Sequence, residues 1–155
     1  MEFSSQNASN AYKSLFLPRA VEERMLIALR QGRISKWFSS YGQEAVSVGT
    51  ALAMQEDEWI CTMHRNLGVF TSRDVPLKKL FAQFQGKTTG FTKGRDRSFH
   101  FGTQEYRIIG MISHLGAMLP GCVADLRAWT VSVRPRSVAL LETLLEYGDC
   151  AAARD

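Results

Sequence analysis

Cysteine and long apolar runs are both scarce in this sequence, and each scarcity excludes a class of protein. The three cysteines, Cys61, Cys122 and Cys150, are odd in number and form neither a close pair nor a metal-ligand spacing. We therefore expect reduced thiols and a cytoplasmic location. No apolar run approaches the roughly 20 residues that a membrane-spanning helix needs, so no membrane partner is expected. The polar residues 1–14 lack the apolar core of a signal peptide.

Common catalytic motifs are missing as well. The sequence contains no ordered Ser, His and Asp set, no paired carboxylates, no Walker loop and no zinc-ligand set. The formal charge of +4 is modest, whereas a protein that binds nucleic acid would need a broader basic face. With 155 residues and 45% apolar side chains, the chain is long and apolar enough for one domain with a single core.

Hydrophobic spacing predicts two helices in the first third of the chain. The first is predicted over Tyr12–Leu29, broken or kinked at Pro18, with Glu22 facing water. Ser40–Gln43 has the spacing of a capping box, which predicts that a second helix begins there and runs to Met54.

Short strands and further helices are predicted beyond residue 54. The apolar segments Trp59–Thr62 and Ile108–Ile112 are typical of short buried strands. Asn66 and Pro76 each favour the start of a helix, and Val138–Tyr147 is predicted as a short helix. The whole pattern indicates a helix-rich α/β chain.

The segment His64-Arg65-Asn66 lies between a predicted strand and a predicted helix. A helix start offers unpaired N–H groups and a partial positive charge, both of which favour a diphosphate. Arg65 adds a forked donor that matches phosphate oxygens. Spacing alone favours the plainer alternative, a surface arginine followed by a helix cap.

Residues 86–102 are too rich in glycine and charge for a helix or strand, and they predict a long functional loop. Three cations in it are suited to closing over a ligand or a partner, although a solvated charged turn is the simpler alternative. These cations are Lys93, Arg95 and Arg97. Three aromatic side chains are expected to anchor the loop in the core rather than to stack on nucleic-acid bases. They are Phe91, Phe99 and Phe101.

His100 and His114 are candidates for acid–base chemistry because imidazole titrates near neutral pH. The alternative is that each is simply a packed, hydrogen-bonded histidine. Reasoning from the residues alone therefore ends at an α/β domain that binds an anion.

Five motifs follow one another between Tyr12 and Leu119, a range that covers about three quarters of the chain. They are Glu22–Met25, Gln31–Phe38, Gly42–Ala45, His64–Phe70 and Gly90–Gly102. In this order they resemble the alpha subunit of thiamine-diphosphate-dependent 2-oxo acid dehydrogenases. These subunits belong to the decarboxylating components of the pyruvate, branched-chain and acetoin dehydrogenase complexes.

The resemblance implies the N-terminal portion of a thiamine-diphosphate-binding α/β fold that is helix-rich, with few parallel strands and an incomplete sheet. The implied reaction is oxidative decarboxylation of a 2-oxo acid with acyl transfer to a lipoyl group. The implied partners are a beta subunit of the dehydrogenase and the lipoyl-bearing acyltransferase component.

The resemblance also assigns roles to individual residues. Arg65 matches the arginine that holds the cofactor's diphosphate, with His64 beside it where many relatives have Tyr. Ser113 and Leu115 occupy the segment whose backbone contacts the aminopyrimidine. No catalytic residue is assigned, and His100, which matches a histidine near the active-site entrance, is the one candidate.

The family pattern is lost after Val123-Ala124-Asp125. In the family, a Gly-Asp-Gly motif and a later Asn ligate the magnesium that bridges the diphosphate. Here Gly148-Asp149-Cys150 is not such a motif, and no matching Asn follows it. We therefore expect the magnesium ligands to be missing, thiamine diphosphate to bind weakly and the chain to be inactive alone.

Three segments are predicted: a polar tail over residues 1–11, the dehydrogenase portion over 12–119, and a divergent C-terminal segment over 120–155. The hypothesis for the last segment is a truncated gene in which a shifted reading frame or unrelated coding sequence supplies about the last 30 residues. The alternative function is a non-catalytic interaction module that associates with intact dehydrogenase subunits.

Overall fold

The computed structural model describes residues 5–110 and 139–140. Within these ranges, four helices and three very short strands follow one another along the chain. They are α1 (Ser5–Arg30), α2 (Glu44–Ala53), β1 (Ile60–Cys61), α3 (Leu67–Ser72), α4 (Leu77–Phe84), β2 (Ile108–Ile109) and β3 (Ala139–Leu140). The predicted helix-rich α/β character is confirmed.

Helix α1 is longer than predicted and runs through Pro18 without a break. It begins at Ser5, within the segment predicted to be a polar tail. Its first turns are exposed and continue the part of the helix that packs against the core. Pro18 removes one backbone hydrogen bond, but its ring is buried on the same face as Val21 and Met25. Packing of this face explains why the helix continues, and the predicted break is wrong.

Helix α2 begins at Glu44, four residues after the predicted start, and the capping box is not formed. Ser40 and Gln43 instead close a turn, in which the Gln43 N–H donates to the Ser40 carbonyl at 2.9 Å. Gly42 has a φ of +91°, a left-handed conformation that a right-handed helix does not accommodate. The helix can therefore begin only after it, while its end at Ala53 lies within one residue of the prediction.

An ion pair joins the start of α2 to α1. Arg19 Nε lies 2.5 Å from Glu44 Oε1, and its guanidinium also covers the ring of Tyr41 at 3.8 Å. Burial raises the pKa of the Glu44 carboxyl, but the hydrogen bond and charge of Arg19, together with backbone N–H donors of Glu44 and Gly42, hold that pKa below its ordinary value. The ion pair therefore holds the start of α2 against α1, and the segment that connects the two helices is fixed at both ends.

The three strands form one parallel sheet in the order β2-β1-β3. Ile60 pairs with Ile108 on one side and with Ala139 on the other, so β1 is the central strand. The strands predicted at residues 59–62 and 108–112 are confirmed at their cores. One expectation is wrong: Ala139–Leu140 is a strand within the predicted helix Val138–Tyr147, whose other residues lie outside the described ranges.

Helices α3 and α4 follow the predicted signals of Asn66 and Pro76. Leu80 and Phe84 of α4 are buried, as the helical repeat predicts. Aromatic rings dominate the core, with Trp37 and Phe99 only 5.2 Å apart between ring centroids. Among the described residues, no helix has both the length and the apolar composition for a membrane span.

Candidate functional site

The carboxyl end of β1 is the place where the sheet favours a ligand. The chain passes from β1 to β2 on one side of it and then to β3 on the other side, so the strand order reverses at β1. In open parallel sheets a crevice forms at such a point, beyond the carboxyl ends of the strands, and ligands bind there. Residues 62–66, which include His64 and Arg65, follow β1 directly.

Arg65 is the most informative side chain in this connection. Its Nη2 lies 3.2 Å from Nε2 of the neighbouring His64. Its Nε is buried, and no residue in the described part of the chain accepts a hydrogen bond from it. Leaving a buried donor unpaired costs about 1–3 kcal/mol. The arrangement is therefore suited to an acceptor from outside these residues, such as an oxygen of an anion.

The backbone at the start of α3 is less available than predicted. Asn66 does not cap the helix, because its Oδ1 accepts from the Met63 N–H at 2.6 Å. The Leu67 and Val69 amides donate to the carbonyls of Arg65 and Asn66 at 2.8 and 3.1 Å. The helix is also only six residues long. Anion binding here would thus depend mainly on the Arg65 side chain rather than on a row of amides.

A cleft of about 440 Å³ opens beside His64. One wall is the segment 33–38, the other is the segment 96–100, and the end of α4 lies between them. Its charged and histidine side chains are Arg33, Lys36, His64, Asp96, Arg97 and His100. Three full cations against one carboxylate give the cleft a positive potential, which favours an anionic ligand.

The structure brings together His64 and His100, two of the residues assigned from the resemblance, in this one cleft. Burial lowers the pKa of both imidazoles, and neighbouring cations lower it further: Arg65 at His64, and Arg97 at His100. Both are therefore mainly neutral at pH 7. Their assigned partners Ser113 and Leu115, and the alternative candidate His114, lie outside the described residues.

Glu22 holds the first wall, which the sequence did not predict. Its carboxylate was expected to face water but is only 1% exposed, so that expectation is wrong. Oε1 accepts from Trp37 Nε1 at 2.8 Å, and Oε2 accepts from Ser40 Oγ at 3.4 Å. These two bonds attach both ends of the segment around Phe38 to α1.

Gln83 holds the second wall, and it too was missed. The side chain is 1% exposed on α4. Its Nε2 donates to the Arg97 carbonyl at 3.1 Å, and its Oε1 accepts from the Thr92 N–H at 2.9 Å. The predicted loop therefore folds against α4. The predicted aromatic anchoring is confirmed by buried Phe99 and Phe101, the latter stacked on Phe91 at 4.5 Å between ring centroids.

The contact of Gly90 with Gln83 leads to a testable prediction. A Cβ at Gly90 would lie 2.8 Å from Gln83 Cα and 2.9 Å from its backbone N, so the loop and α4 would have to separate. We expect Gly90→Ala to lower the free energy of unfolding by about 1–3 kcal/mol, as measured by urea denaturation.

The matched control is Gly49→Ala in α2. No atom lies within 4 Å of a Cβ built there, and alanine favours a helix interior over glycine by about 0.5–1 kcal/mol. This variant should be slightly more stable than the wild type. Equal stability of the two variants would contradict the described packing of the loop.

The parallel sheet and the cleft lined by His64 define a helix-rich α/β chain with a positively charged cleft. The chain belongs to the dehydrogenase E1 component family, whose sequence profile matches residues 12–154. This membership confirms the resemblance to alpha subunits of thiamine-diphosphate-dependent 2-oxo acid dehydrogenases. The matched range also includes most of residues 120–155, and the predicted boundary at 120 stays a prediction.

Individual relatives agree with the family. Over 112 residues, 72% of this chain and 25% of the relative, the chain is 33% identical to the mitochondrial 2-oxoisovalerate dehydrogenase subunit alpha of Bos taurus. It is 28% identical to the protein of the same name from Caenorhabditis elegans over 151 residues, 97% of this chain and 34% of that protein. The chain thus spans about a quarter to a third of these relatives. Their names place them in mitochondria, whereas the cytoplasmic location stays a prediction.

No group of three or more potential metal-ligating side chains lies within residues 5–110. The positions after residue 125, where the resemblance implies magnesium ligands, are outside the described ranges. The expectation that these ligands are missing is therefore not tested.

Proposed function

We propose that this chain forms part of the alpha subunit of a thiamine-diphosphate-dependent 2-oxo acid dehydrogenase, and that Arg65 binds the diphosphate of the cofactor with His64 beside it. The observation that carries the proposal is the position of Arg65. It follows the central parallel strand, and its buried Nε–H has no acceptor among the described residues. A guanidinium in this state fits a phosphate oxygen, since charge-assisted bonds of this kind are short and strong.

The remaining assigned residues belong to the same proposal. The backbone around Ser113 and the side chain of Leu115 would hold the aminopyrimidine end, and the positive potential of the cleft would support the diphosphate. When bound, thiamine diphosphate supplies the carbanion chemistry of decarboxylation, while the protein orients it and adjusts the electrostatics. His100, which lines the cleft in its neutral form, is placed to exchange a proton with a substrate there.

The substrate class and the partners follow from the family. Because the relatives are named for 2-oxoisovalerate, a branched-chain 2-oxo acid is the substrate class we propose. A beta subunit and a lipoyl-bearing acyltransferase component are the proposed partners, and the chain is proposed to be inactive alone.

The proposal is tested by titration calorimetry of the 155-residue chain with two matched ligands. Thiamine diphosphate is expected to bind weakly but saturably in low-salt buffer, and thiamine, which lacks both phosphates, is expected not to bind at the same concentrations. Because residues 120–155 carry no Gly-Asp-Gly motif, magnesium chloride should change the affinity little. Equal heats for both ligands would contradict a diphosphate site, and tight binding that requires magnesium would contradict the proposed lack of metal ligands.

A non-catalytic interaction module is the second candidate function, and exposed apolar side chains on α1 and α2 favour it. Contiguous exposed apolar patches commonly mark surfaces that contact other proteins. Tyr12 and Phe16 are 66% and 57% exposed and stack on each other at 6.1 Å between ring centroids. Further exposed apolar residues are Leu17, Ile27, Tyr41, Val46 and Leu52.

Co-expression with a dehydrogenase beta subunit tests this second function. Co-purification of the two chains is expected, and the Tyr12→Ser/Phe16→Ser variant should lose it. Glu23→Ser, a change at another exposed position of α1, is the control. A chain that remains monomeric beside an intact beta subunit would contradict the interaction function.

A further inference from the structure

We propose that His64 is the positioning residue for Arg65: as a neutral imidazole protonated at Nδ1, it accepts a hydrogen bond from the guanidinium through Nε2. The inference rests on the proposed function, because it says how the proposed diphosphate-binding side chain is held before the ligand arrives. It also gives His64 a definite role, since the resemblance says only that this residue lies beside Arg65.

The direction of the hydrogen bond follows from the chemistry of the two groups. Arg65 Nη2 lies 3.2 Å from His64 Nε2. A guanidinium only donates, since it has five N–H groups and no acceptor. Nε2 must therefore carry a lone pair, which places the proton of a neutral imidazole on Nδ1. An imidazolium donates at both nitrogens and could not make this contact.

The imidazole is held in place by aromatic packing. The ring of Phe38 meets it edge-on, with 4.6 Å between ring centroids and an interplanar angle of 74°. Lys36 covers the ring of Phe38 at 4.7 Å, and Trp37 attaches the same segment to Glu22. The orientation of His64 is thus fixed from α1 through the first wall of the cleft, independently of any ligand.

The electrostatic surroundings favour the neutral form that the contact needs. Partial burial lowers the pKa of His64, and the positive charges of Arg65 and Lys36, with that of His100 when it is protonated, lower it further. Protonation would place a second positive charge next to Arg65 and remove the acceptor. Other charged side chains that line the same cleft are Arg33, Asp96 and Arg97.

The hydrogen bond uses Nη2 and therefore does not occupy the buried Nε–H of Arg65, which has no acceptor among the described residues. Without an acceptor at position 64, the guanidinium could rotate about its side-chain torsions and would need to be ordered when the ligand binds. The expected loss of affinity is about tenfold, since a hydrogen bond to a charged group has that magnitude.

The tautomer is measured by ¹⁵N NMR on the ligand-free 155-residue chain with labelled histidine at pH 7.5. The His64 signals are identified by their loss in His64→Gln. We expect protonated Nδ1 and unprotonated Nε2, and Arg65→Met should remove this preference. An Nε2–H tautomer, an equal mixture of tautomers or an imidazolium in the wild type would overturn the inference.

A second measurement uses thiamine diphosphate and inorganic pyrophosphate as probes. His64→Phe keeps a ring against Phe38 but lacks the acceptor, so both probes should bind about tenfold more weakly. His64→Gln keeps an acceptor oxygen and should stay within about threefold of the wild type. Wild-type affinity in His64→Phe would overturn the inference. If the wild type binds neither probe, the proposed function fails, while the tautomer measurement still decides the role of His64.

Discussion

Glu22→Ala is expected to lower the free energy of unfolding by about 3 kcal/mol. The carboxylate is buried and accepts from Trp37 Nε1 and Ser40 Oγ, both of which are themselves in buried residues. Removing it leaves two buried donors without an acceptor, at about 1–3 kcal/mol for each unsatisfied group, and also leaves a cavity. Urea denaturation followed by Trp fluorescence measures the change.

Two further variants make the Glu22 prediction specific. Glu23→Ala removes the adjacent carboxylate, which is exposed on the same helix, and should change the stability by less than about 0.5 kcal/mol. Glu22→Gln keeps an acceptor for Trp37 and should cost less than Glu22→Ala. If Glu22→Ala were as stable as Glu23→Ala, the buried bonds of Glu22 would not be what holds the first wall of the cleft.

Arg65→Ala is expected to weaken thiamine diphosphate binding by about 10- to 100-fold. Loss of the guanidinium removes a charge-assisted contact, which contributes about 1.5–3 kcal/mol in proteins. Arg65→Lys keeps the positive charge without the planar fork, so its loss should be smaller, about fivefold. Calorimetry at low ionic strength, where screening is weakest, is the appropriate measurement.

Arg24→Ala is the control for this series, because it removes a cation of the same type from an exposed position on α1. It should bind thiamine diphosphate like the wild type. A similar loss in Arg24→Ala and Arg65→Ala would show that net charge alone governs binding, which the proposed site does not allow.

Local signals in the sequence were sufficient for most elements. The apolar repeat of Leu77–Phe84 and the apolar segment around Ile60 predict α4 and β1, since both patterns reflect burial of one face or one strand. Local rules failed where packing or an unpredicted backbone conformation decided the outcome. Pro18 is accommodated by packing, and the left-handed Gly42 prevents the helix that Ser40 was expected to cap.

The sequence also predicted the centre of the candidate site but not its support. His64 and Arg65 were selected because they lie between a strand and a helix, and the structure places them at the end of β1. Glu22 and Gln83 have no such local signal. Glu22 is 15 residues from Trp37 in sequence, and a polar residue on an amphipathic helix normally faces water. Only the folded arrangement shows that these two side chains hold the walls of the cleft.

The central claim is that the buried Nε–H of Arg65 donates to the diphosphate. It is tested most directly by following that N–H signal with ¹⁵N NMR while thiamine diphosphate is added to the 155-residue chain. We predict that the Arg65 Nε–H signal shifts in proportion to the fraction bound and that its exchange with water slows, while thiamine leaves it unchanged. Saturable binding of thiamine diphosphate with an unchanged Arg65 signal would contradict the account.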